Sequence, residues 1–476
     1  MSTQETDAAT AQNLSDILAL QRRAFLTAGA PTLAERRDDI ARLRDAVKSE
    51  APNLAAAISA DFGNRSHHET LLAEIWPTVM SARHALKHLP GWMRPQRVGV
   101  GLDLLPSRAR IISQPLGVIG IIAPWNYPVM LALMPMIGAL AAGNRVMLKP
   151  SELTPRTSAL LLQILSRLFP QEKVAVVCGD ADVGAAFSSL AFDHLLFTGS
   201  GGVGRRILEA ASANLTPVTL ELGGKSPCIV AADGDLAAAA ACIGAGKFFS
   251  AGQTCVAPDY VLIGEDRRDL FVDLLRRAVE KSYPTLGANA DYTAVLNDRS
   301  RARLGRYLED VRARGGRVIE INPSNEDLSA TGKIAPTLVL DPDDQALLMQ
   351  EEIFGPILPI KTYRTLDEAI DYVNARPRPL ALYFFGADRK LRDRVLARTT
   401  SGGVTVNNTL MHLVAENLPF GGVGASGFGA YHGEHGFRAF SHRKGVFLQS
   451  RLNSSILLSP PYGRAFATMI MFLLRR

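Results

Sequence analysis

The feature that most constrains the fold of this chain is a regular alternation of short apolar runs and helical segments. Strand-like runs at 118–122, 145–148 and 174–178 are separated by helical patterns at 129–142 and 157–168. A second alternating series starts near Pro227 and continues past Leu410. Strands joined through helices in this way pair in parallel. The pattern therefore predicts an α/β fold with two helix-wrapped parallel sheets in tandem.

Length and composition narrow the class of protein. At 476 residues the chain exceeds what one hydrophobic core supports, so two or three domains are expected. Its 47% hydrophobic and 21% charged residues are typical of a folded globular protein. The net charge is +6, but the basic residues are dispersed among 46 acidic ones instead of forming a stripe. We therefore expect no nucleic-acid partner.

Cysteine usage and the two chain ends indicate the compartment. Four cysteines are too few for a disulfide scaffold, and residues 1–15 lack the features of a secretory signal, so a cytoplasmic protein is expected. Residues 465–474 are apolar and are followed by two arginines, yet as a helix they rise only about 15 Å, half of the membrane core. We expect this helix to pack on its own protein, with a peripheral membrane contact as the alternative.

A glycine-rich turn lies between a strand-like run at 194–197 and a helix-like segment at 205–213. Gly199, Gly201 and Gly204 have the G-x-G-x-x-G spacing, which lets a backbone approach phosphate groups at the start of a helix. This spacing alone is equally compatible with an ordinary turn. Glu221 lies near the position where a ribose-binding acid would be sought, but the next cluster favours another interpretation.

A carboxylate and a thiol form that cluster. Glu221 begins the segment Glu221-Leu-Gly-Gly-Lys-Ser-Pro227, and Cys255 ends the segment Gly252-Gln-Thr-Cys255. A thiol in a loop of small and polar residues is accessible as a nucleophile, and a carboxylate can activate water against a covalent intermediate. The other cysteines have the surroundings of small packed hydrophobic residues, and they are Cys178, Cys228 and Cys242.

Several motifs together resemble the aldehyde dehydrogenase superfamily, in its order and at its usual intervals. They are Pro124-Trp-Asn-Tyr-Pro128, Lys149-Pro-Ser-Glu152, Phe197-Thr-Gly-Ser200, Glu221-Leu-Gly-Gly-Lys225, Gly252-Gln-Thr-Cys255, Glu352-Ile-Phe-Gly-Pro356 and Pro419-Phe-Gly-Gly-Val-Gly424. The resemblance covers roughly residues 61–450. The short N-terminal region and residues 422–433 resemble the class 3 branch, and stretches 61–66, 257–260 and 361–364 are most similar to its bacterial coniferyl aldehyde dehydrogenases.

The resemblance implies an enzyme that oxidises an aromatic, coniferyl-type or medium-chain aldehyde to the carboxylic acid with NAD(P)+. Cys255 would attack the aldehyde carbon, and the Asn126 amide with the Cys255 backbone N–H would stabilise the oxyanion. Glu221 would activate the water that hydrolyses the thioester. Taken alone, Asn126 is typical of a turn residue.

Two alternatives remain open at this point. A coenzyme A-acylating aldehyde dehydrogenase would use Cys255 in the same way but transfer the acyl group to a thiol, and the carboxylate at Glu221 argues for water instead. A non-catalytic binding protein could retain the fold, and the presence of cysteine, asparagine and glutamate together argues against it. A serine hydrolase is disfavoured because Ser226 and Ser426 do not lie in a G-x-S-x-G turn.

The resemblance also implies a set of cofactor contacts. Lys149 and Glu152 would hold the adenosine ribose, and a carboxylate there repels a 2′-phosphate, so NAD is favoured with NADP as the alternative. Ser200 and the following helix start would contribute more to phosphate binding than the glycine turn. Glu352 and Phe354 would position the nicotinamide ribose and ring. The full set of expected contacts is Trp125, Lys149, Ser151, Glu152, Gly199, Ser200, Gly204, Leu222, Glu352 and Phe354.

The substrate pocket and the metal content are also predicted. Apolar and aromatic walls would suit a flat aromatic aldehyde, and the hypothesised lining residues are Tyr127, Met130, Met134 and His412. His84 and His88 are spaced to share a helix face, but no third ligand lies near them in sequence. We therefore expect no metal.

The domain organisation follows from the same resemblance, which implies two Rossmann-like parallel α/β domains and a β oligomerisation arm. The NAD-binding domain would comprise residues 1–98 and 115–222, and the catalytic domain residues 223–404. The arm would comprise 99–114 and 427–446, and a C-terminal tail would follow at 447–476. Because arms of this kind extend the sheet of a partner, a homodimer is expected.

Overall fold

The computed structural model describes residues 3–101, 104–451 and 459–475, with side chains from residue 12 onward. The predicted segments 1–98, 99–114 and 447–476 each include residues outside this description. Sixteen strands are present in the described part: β1 (Gln96–Val98), β2 (Arg108–Pro115), β3 (Val118–Ile122), β4 (Arg145–Lys149), β5 (Val174–Val176), β6 (His194–Gly199), β7 (Val218–Leu222), β8 (Pro227–Val230), β9 (Tyr260–Gly264), β10 (Arg317–Glu320), β11 (Thr337–Leu340), β12 (Ile357–Tyr363), β13 (Ala381–Phe385), β14 (Gly403–Val406), β15 (Gly427–Phe428) and β16 (Ser441–Leu448).

Helices connect these strands. They are α1 (Thr3–Ala28), α2 (Leu33–Ser49), α3 (Ala51–Phe62), α4 (His67–Thr70), α5 (Trp76–Trp92), α6 (Met130–Ala142), α7 (Pro155–Leu168), α8 (Ala181–Ser188), α9 (Gly201–Ser212), α10 (Leu236–Phe248), α11 (Arg268–Ser282), α12 (Asp298–Ala313), α13 (Leu347–Gln350), α14 (Leu366–Asn374), α15 (Arg389–Arg398), α16 (Met411–Val414), α17 (Gly433–Ala439) and α18 (Arg464–Leu474). A π-helical turn (Leu71–Ile75) joins α4 to α5, and 3₁₀ turns occupy Phe249–Gly252 and Glu265–Arg267. Helix α7 begins two residues before the predicted start because proline suits the first helical position.

A six-stranded sheet forms the first unit. Its order is β15-β7-β6-β3-β4-β5, and every neighbouring pair except β15 with β7 is parallel. All residues of β3 are buried, as expected for a parallel strand covered on both faces. Parallel pairing places the carboxyl ends of β3, β4, β6 and β7 at one edge of the sheet.

A seven-stranded sheet forms the second unit, in the order β10-β11-β12-β9-β8-β13-β14. Only β10 is antiparallel to its neighbour. One cluster of buried apolar side chains includes residues of both large sheets, among them Ile119, Leu148, Val261 and Leu358, so the two units pack on each other. The predicted α/β fold with two parallel sheets is confirmed.

A three-stranded antiparallel sheet, in the order β1-β2-β16, contains part of the predicted arm. Strands β2 and β16 pair over eight residues, from Arg108 with Leu448 to Pro115 with Ser441. Only the last part of the predicted segment 427–446 lies in this sheet. Strand β15 pairs with β7 instead, and α17 packs against α5 and α6, where Phe437 contacts Trp92.

The C-terminal helix α18 differs from its expected packing. None of its residues is buried, and Met471, Phe472 and Leu474 are more than half exposed. An apolar pattern predicts that a helix is buried against another surface, but it does not specify which surface that is. Among the described residues, no helix has both the length and the apolar character needed to cross a membrane.

Candidate active site

The predicted cofactor residues gather where four parallel strands end. Trp125 follows β3, Lys149 closes β4, Ser200 follows β6, and Glu221 and Leu222 close β7. The carboxyl edge of a parallel sheet is the usual ligand site in α/β proteins, because the loops that leave it converge there. The structure therefore brings together residues that are far apart in sequence.

An ion pair stands at the end of β4. The Lys149 ammonium donates to the Glu152 carboxylate at 2.8 Å, and Lys149 is buried whereas Glu152 remains 41% exposed. Burial acts to raise the pKa of Glu152, but the hydrogen bond from Lys149, the hydrogen bond from the residue's own backbone N–H and the charge of Lys149 together outweigh it, so this pKa lies below its ordinary value. Ser151 accepts from the Leu153 N–H and braces the turn. Glu152 thus offers a charged carboxylate to solvent at the sheet edge.

The glycine-rich segment spans the end of β6 and the first turn of α9, which begins at Gly201 and not at the predicted residue 205. Ser200 is exposed at the position before the helix, and its side chain makes no capping hydrogen bond. A Cβ at Gly201 or Gly202 would meet no atom within 4 Å, whereas a Cβ at Gly204 would lie 2.8 Å from Leu222. The first turn of α9 is therefore open, and Gly204 serves the packing of α9 on β7. An open N-terminal turn at this edge fits the phosphates of a dinucleotide.

The thiol loop enters the site from the second sheet. Cys255 precedes β9 and Glu352 precedes β12, which are neighbouring strands, so both loops lie at the same edge of that sheet. Gly252 has a φ of +72°, and a Cβ there would lie 2.3 Å from the Gly355 carbonyl oxygen. Glycine is therefore required at position 252 for the two loops to touch.

Asn126 joins the two units across the site. Its side chain is buried, and Nδ2 donates to the Gln253 carbonyl at 3.1 Å. One amide hydrogen is thereby used, and the second is left for another acceptor. The next residue, Tyr127, is joined through its hydroxyl to the Thr254 hydroxyl at 2.5 Å. These contacts place the Asn126 amide beside the loop that carries Cys255.

The electrostatic surroundings of Cys255 disfavour its thiolate. Burial raises the pKa of the Cys255 thiol to about 12, and the carboxylates of Glu352 and Glu221 act in the same direction. The backbone N–H groups of Cys255 and Val256 act in the opposite direction. The thiol is therefore protonated at neutral pH in this state, and nucleophilic use requires that its proton be removed.

Glu221 is a carboxylate without a hydrogen-bond partner in the described part of the chain. It is 2% exposed, and neither of its carboxylate oxygens is satisfied. Burial raises the pKa of Glu221 well above its ordinary value. An orphaned buried carboxylate is costly for folding, so its position points to a chemical use.

The remaining side of the site is formed by two residues of the loop before β12, Glu352 and Phe354, and by Trp125. Burial raises the pKa of Glu352 to about 8, and the nearby Asp259 adds to the shift. A Cβ at Gly223 would lie 2.2 Å from a Glu352 carboxylate oxygen, so this carboxylate rests on the backbone just after β7. The rings of Trp125 and Phe354 meet edge-to-face with centroids 5.4 Å apart. Glu352 and Phe354 of the second unit therefore lie against residues that follow β7 and β3 of the first unit.

An apolar cavity of about 580 Å³ lies beside the thiol loop. Tyr127, Met130 and Thr254 line it together with aromatic and thioether side chains from other elements, namely Trp76, Phe249 and Met411. Two predicted lining residues do not contribute to it. Met134 lies one turn further along α6 within the core, and His412 is held by its Nδ1 at 2.8 Å from the Thr405 hydroxyl.

Sequence reasoning missed a buried charged group behind the Asn126 loop. Arg65, Glu69 and Glu74 lie within ten residues of each other and are almost inaccessible to solvent. The only available signal was the segment 61–66, which was singled out for its resemblance and not for charge. Local spacing could not reveal that these side chains turn inward.

The fold and the site together define a class: α/β enzymes in which a dinucleotide-type sheet edge faces a thiol-bearing loop. A family model described as the aldehyde dehydrogenase family matches residues 2–446, and the chain belongs to this family. The family identified from the motifs is thereby confirmed, and the chain is an NAD(P)-dependent aldehyde dehydrogenase.

Individual proteins agree with this assignment. A coniferyl aldehyde dehydrogenase from Pseudomonas sp. strain HR199 is 50% identical, with 98% of this chain and 97% of that protein covered. The substrate-bound structure of Staphylococcus aureus AldH is similar, with a TM-score of 0.90 and 36% identity over 99% of this chain and 100% of that one. The indole-3-acetaldehyde dehydrogenase AldA of P. syringae, in complex with NAD+, has a TM-score of 0.83 and 25% identity over 92% and 89% of the two chains.

Proposed function

We propose that this aldehyde dehydrogenase oxidises flat aromatic aldehydes of the coniferyl type, and medium-chain aldehydes as further substrates, to carboxylic acids. The observation that carries the proposal is the cavity of about 580 Å³ beside Thr254. Its volume lies within the range of sites that bury a small organic ligand, and its aromatic walls suit a planar ring. The relative named coniferyl aldehyde dehydrogenase, which is 50% identical, supports the same substrate class.

In the proposed reaction, the Cys255 thiol loses its proton to solvent, and its sulfur bonds to the aldehyde carbon to form the thiohemiacetal oxyanion. That proton is the one released in the net reaction. The free hydrogen of the Asn126 amide and the Cys255 backbone N–H stabilise the negative charge on the oxygen. The bound dinucleotide supplies a ring that accepts the hydride. The resulting thioester is attacked by water, from which Glu221 removes a proton, and the acid leaves as the thiol is restored.

NAD is the proposed preferred cofactor. The exposed carboxylate of Glu152, held beside Lys149, accepts from ribose hydroxyls and repels a 2′-phosphate. The open first turn of α9 at Ser200 receives the phosphates, and Glu352 with Phe354 positions the nicotinamide end. NADP is the weaker second cofactor on this account.

A panel of cinnamyl, benzyl and aliphatic aldehydes, each assayed with NAD and NADP, tests the substrate class. The specificity constant should be highest for the planar aromatic aldehydes with NAD, and the product should be the free acid with or without coenzyme A. Cys255→Ser should abolish turnover, whereas the matched control Cys178→Ser should retain it. Equal specificity constants for all aldehydes would refute the coniferyl assignment. An acyl-coenzyme A product would refute the hydrolysis step and show that the acyl group is transferred to a thiol instead.

A homodimer is proposed on the basis of the three-stranded sheet. Strand β16 has β2 on one side and no strand on the other among the described residues, and Phe447 and Leu448 on it are exposed. An unpaired edge with apolar side chains favours pairing with a second chain. Light scattering should give twice the monomer mass, and deleting the edge strand should give the monomer mass.

Contact of α18 with an anionic membrane surface is a further proposal about partners. The helix exposes apolar side chains, begins at Arg464 and is followed directly by Arg475. Such a helix lies at a lipid interface without spanning it. The full chain should float with vesicles that contain phosphatidylglycerol, and Phe472→Asp should abolish flotation. Absence of binding by the unmodified chain would refute the contact.

A further inference from the structure

We propose that residues 65–74, here called the clamp segment, position the oxyanion-stabilising amide through a buried arginine–glutamate pair. The inference rests on the proposed function, because it assigns Arg65 and Glu74 a role that acts through Asn126. Neither side chain reaches the reacting atoms. They are positioning residues, and their effect on catalysis depends on the loop that they hold.

The Arg65–Glu74 pair is hydrogen-bonded to both ends of the loop that carries Asn126, at residue 126 and at residues 129 and 130. Arg65 Nη1 donates to the Asn126 carbonyl at 2.6 Å, and the same nitrogen lies 3.2 Å from Glu74 Oε1. Glu74 Oε2 in turn accepts from the backbone N–H groups of Val129 and Met130, at 2.7 and 3.1 Å. The Arg65–Glu74 pair thus connects the carbonyl group at the start of the loop to the two N–H groups at its end.

The location of the pair explains how it can be retained in the interior. Both side chains are fully inaccessible, and the Arg65 guanidinium lies over the rings of Phe62 and Tyr127, at 5.0 and 4.7 Å from their centroids. The carboxylate also meets the positive end of α6, which its two N–H contacts cap. A buried ion pair is weak evidence for stability, since an apolar replacement of the same volume is often neutral or favourable. Its orientation toward Asn126 therefore argues for precision at the site.

The clamp segment reaches the thiol loop as well. Glu69 accepts from the Ser250 N–H at 2.9 Å and from the Thr293 hydroxyl at 2.6 Å. Ser250 and Ala251 both have left-handed backbone angles, with φ of 50° and 51°, which are strained for residues other than glycine. Strained backbone persists where the surroundings hold it. One short segment thus braces both loops between which an aldehyde oxygen would lie.

The test compares Arg65→Met, Arg65→Lys and Glu74→Gln with the surface control Arg167→Met, whose partner is Glu50. The readouts are the single-turnover rate of NADH formation, the dissociation constant of NAD and the Tm. Removal of one oxyanion donor lowers kcat by roughly 10²–10³-fold, so partial misplacement should slow the Arg65→Met turnover about 10–100-fold. The dissociation constant of NAD should change by less than about threefold, and Arg65→Lys should recover part of the rate because it keeps the charge.

The decisive measurement is a double-variant cycle with Asn126→Ala. If Arg65 acts through the amide, adding Arg65→Met to Asn126→Ala should lower the rate by less than about threefold, because the interaction is already lost. If the rate of the double variant is lowered by the product of the two single-variant factors, the proposal is overturned. An Arg65→Met or Glu74→Gln enzyme that is as fast as the unmodified protein overturns it as well. If Arg65→Met does not fold, the same cycle is completed with Arg65→Lys. An Asn126→Ala enzyme of unchanged rate would refute the oxyanion role of the amide and the clamp proposal with it. Failure of the proposed function itself would show as an absence of aldehyde oxidation by the unmodified protein, which separates the two failures.

Discussion

Replacing Asn126 by alanine should lower kcat by about 10²–10³-fold, because two donors are assigned to the oxyanion and this change removes one. The structure supports the full effect. The side chain is 3% exposed, so bulk water has little access to replace the lost N–H. The Arg65 contact is made to the backbone carbonyl of residue 126 and survives the substitution, which keeps the loop in place.

The same substitution should have only a modest effect on stability. It removes one hydrogen bond, from Nδ2 to the Gln253 carbonyl, which is worth about 1 kcal/mol. If the activation free energy rises by about 3–4 kcal/mol while the free energy of unfolding falls by only about 1 kcal/mol, the side chain contacts the transition state. A purely structural role would give the reverse order.

Stopped-flow NADH fluorescence with a cinnamyl aldehyde measures the acylation rate directly. The matched control is Asn374→Ala, which removes an exposed amide that also donates to a backbone carbonyl, that of Arg398. The control should retain the unmodified rate. An Asn126→Ala enzyme whose acylation rate lies within about threefold of the control would refute the assignment of this amide to the oxyanion.

Further predictions concern the buried titratable groups and the ribose site. Glu221→Gln should release one NADH per active site in a burst and then turn over about 10²–10⁴-fold more slowly, and unchanged steady turnover would contradict its role as base. Because burial raises the pKa of folded Glu221, the stability associated with its protonated form is lost as pH rises through that pKa. Glu221→Gln should therefore have a higher Tm than the unmodified protein at pH 9 and the same Tm below pH 4, as measured by scanning calorimetry. Burial lowers the pKa of His412 to about 4 and of His432 to about 3, so the stability from their neutral forms is present above pH 6.5 and is lost as pH falls toward those values. The urea midpoint should fall between pH 7 and 4, less steeply in His432→Phe, and equal slopes would exclude this histidine as a cause. Glu152→Gln should raise the specificity constant for NADP relative to NAD by about tenfold, since a like charge is removed, and an unchanged ratio would refute the ribose assignment.

The fold could be predicted in outline because strand and helix signals are local. The runs at 118–122 and 145–148 correspond to β3 and β4, and the helical pattern at 129–142 to α6. Parallel pairing follows from the alternation, and with it the gathering of Lys149 and Ser200 at one sheet edge. The motif residues were therefore placed together by a rule that needs no coordinates.

The apolar pocket could not be obtained in the same way. Tyr127 and Met130 line it, whereas Met134 on the same helix faces the core and His412 turns toward Thr405. Which side of an all-apolar helix faces a cavity depends on its neighbours from distant parts of the chain. Residue type alone does not distinguish a pocket wall from packed core.

The sequence by itself determined the α/β architecture, the family and the residues that carry its motifs. Each strand pattern, helix pattern and motif can be recognised within a short stretch of the chain, without knowledge of what that stretch contacts. Only the tertiary structure decided that Arg65 and Glu74 lie behind the Asn126 loop, that Glu221 lacks a hydrogen-bond partner among the described residues, and that α18 is exposed. Burial and charge pairing are properties of contacts between segments that are distant in the chain. A charged residue has the same local pattern whether it faces water or the interior, and only the folded neighbours fix which of the two it does.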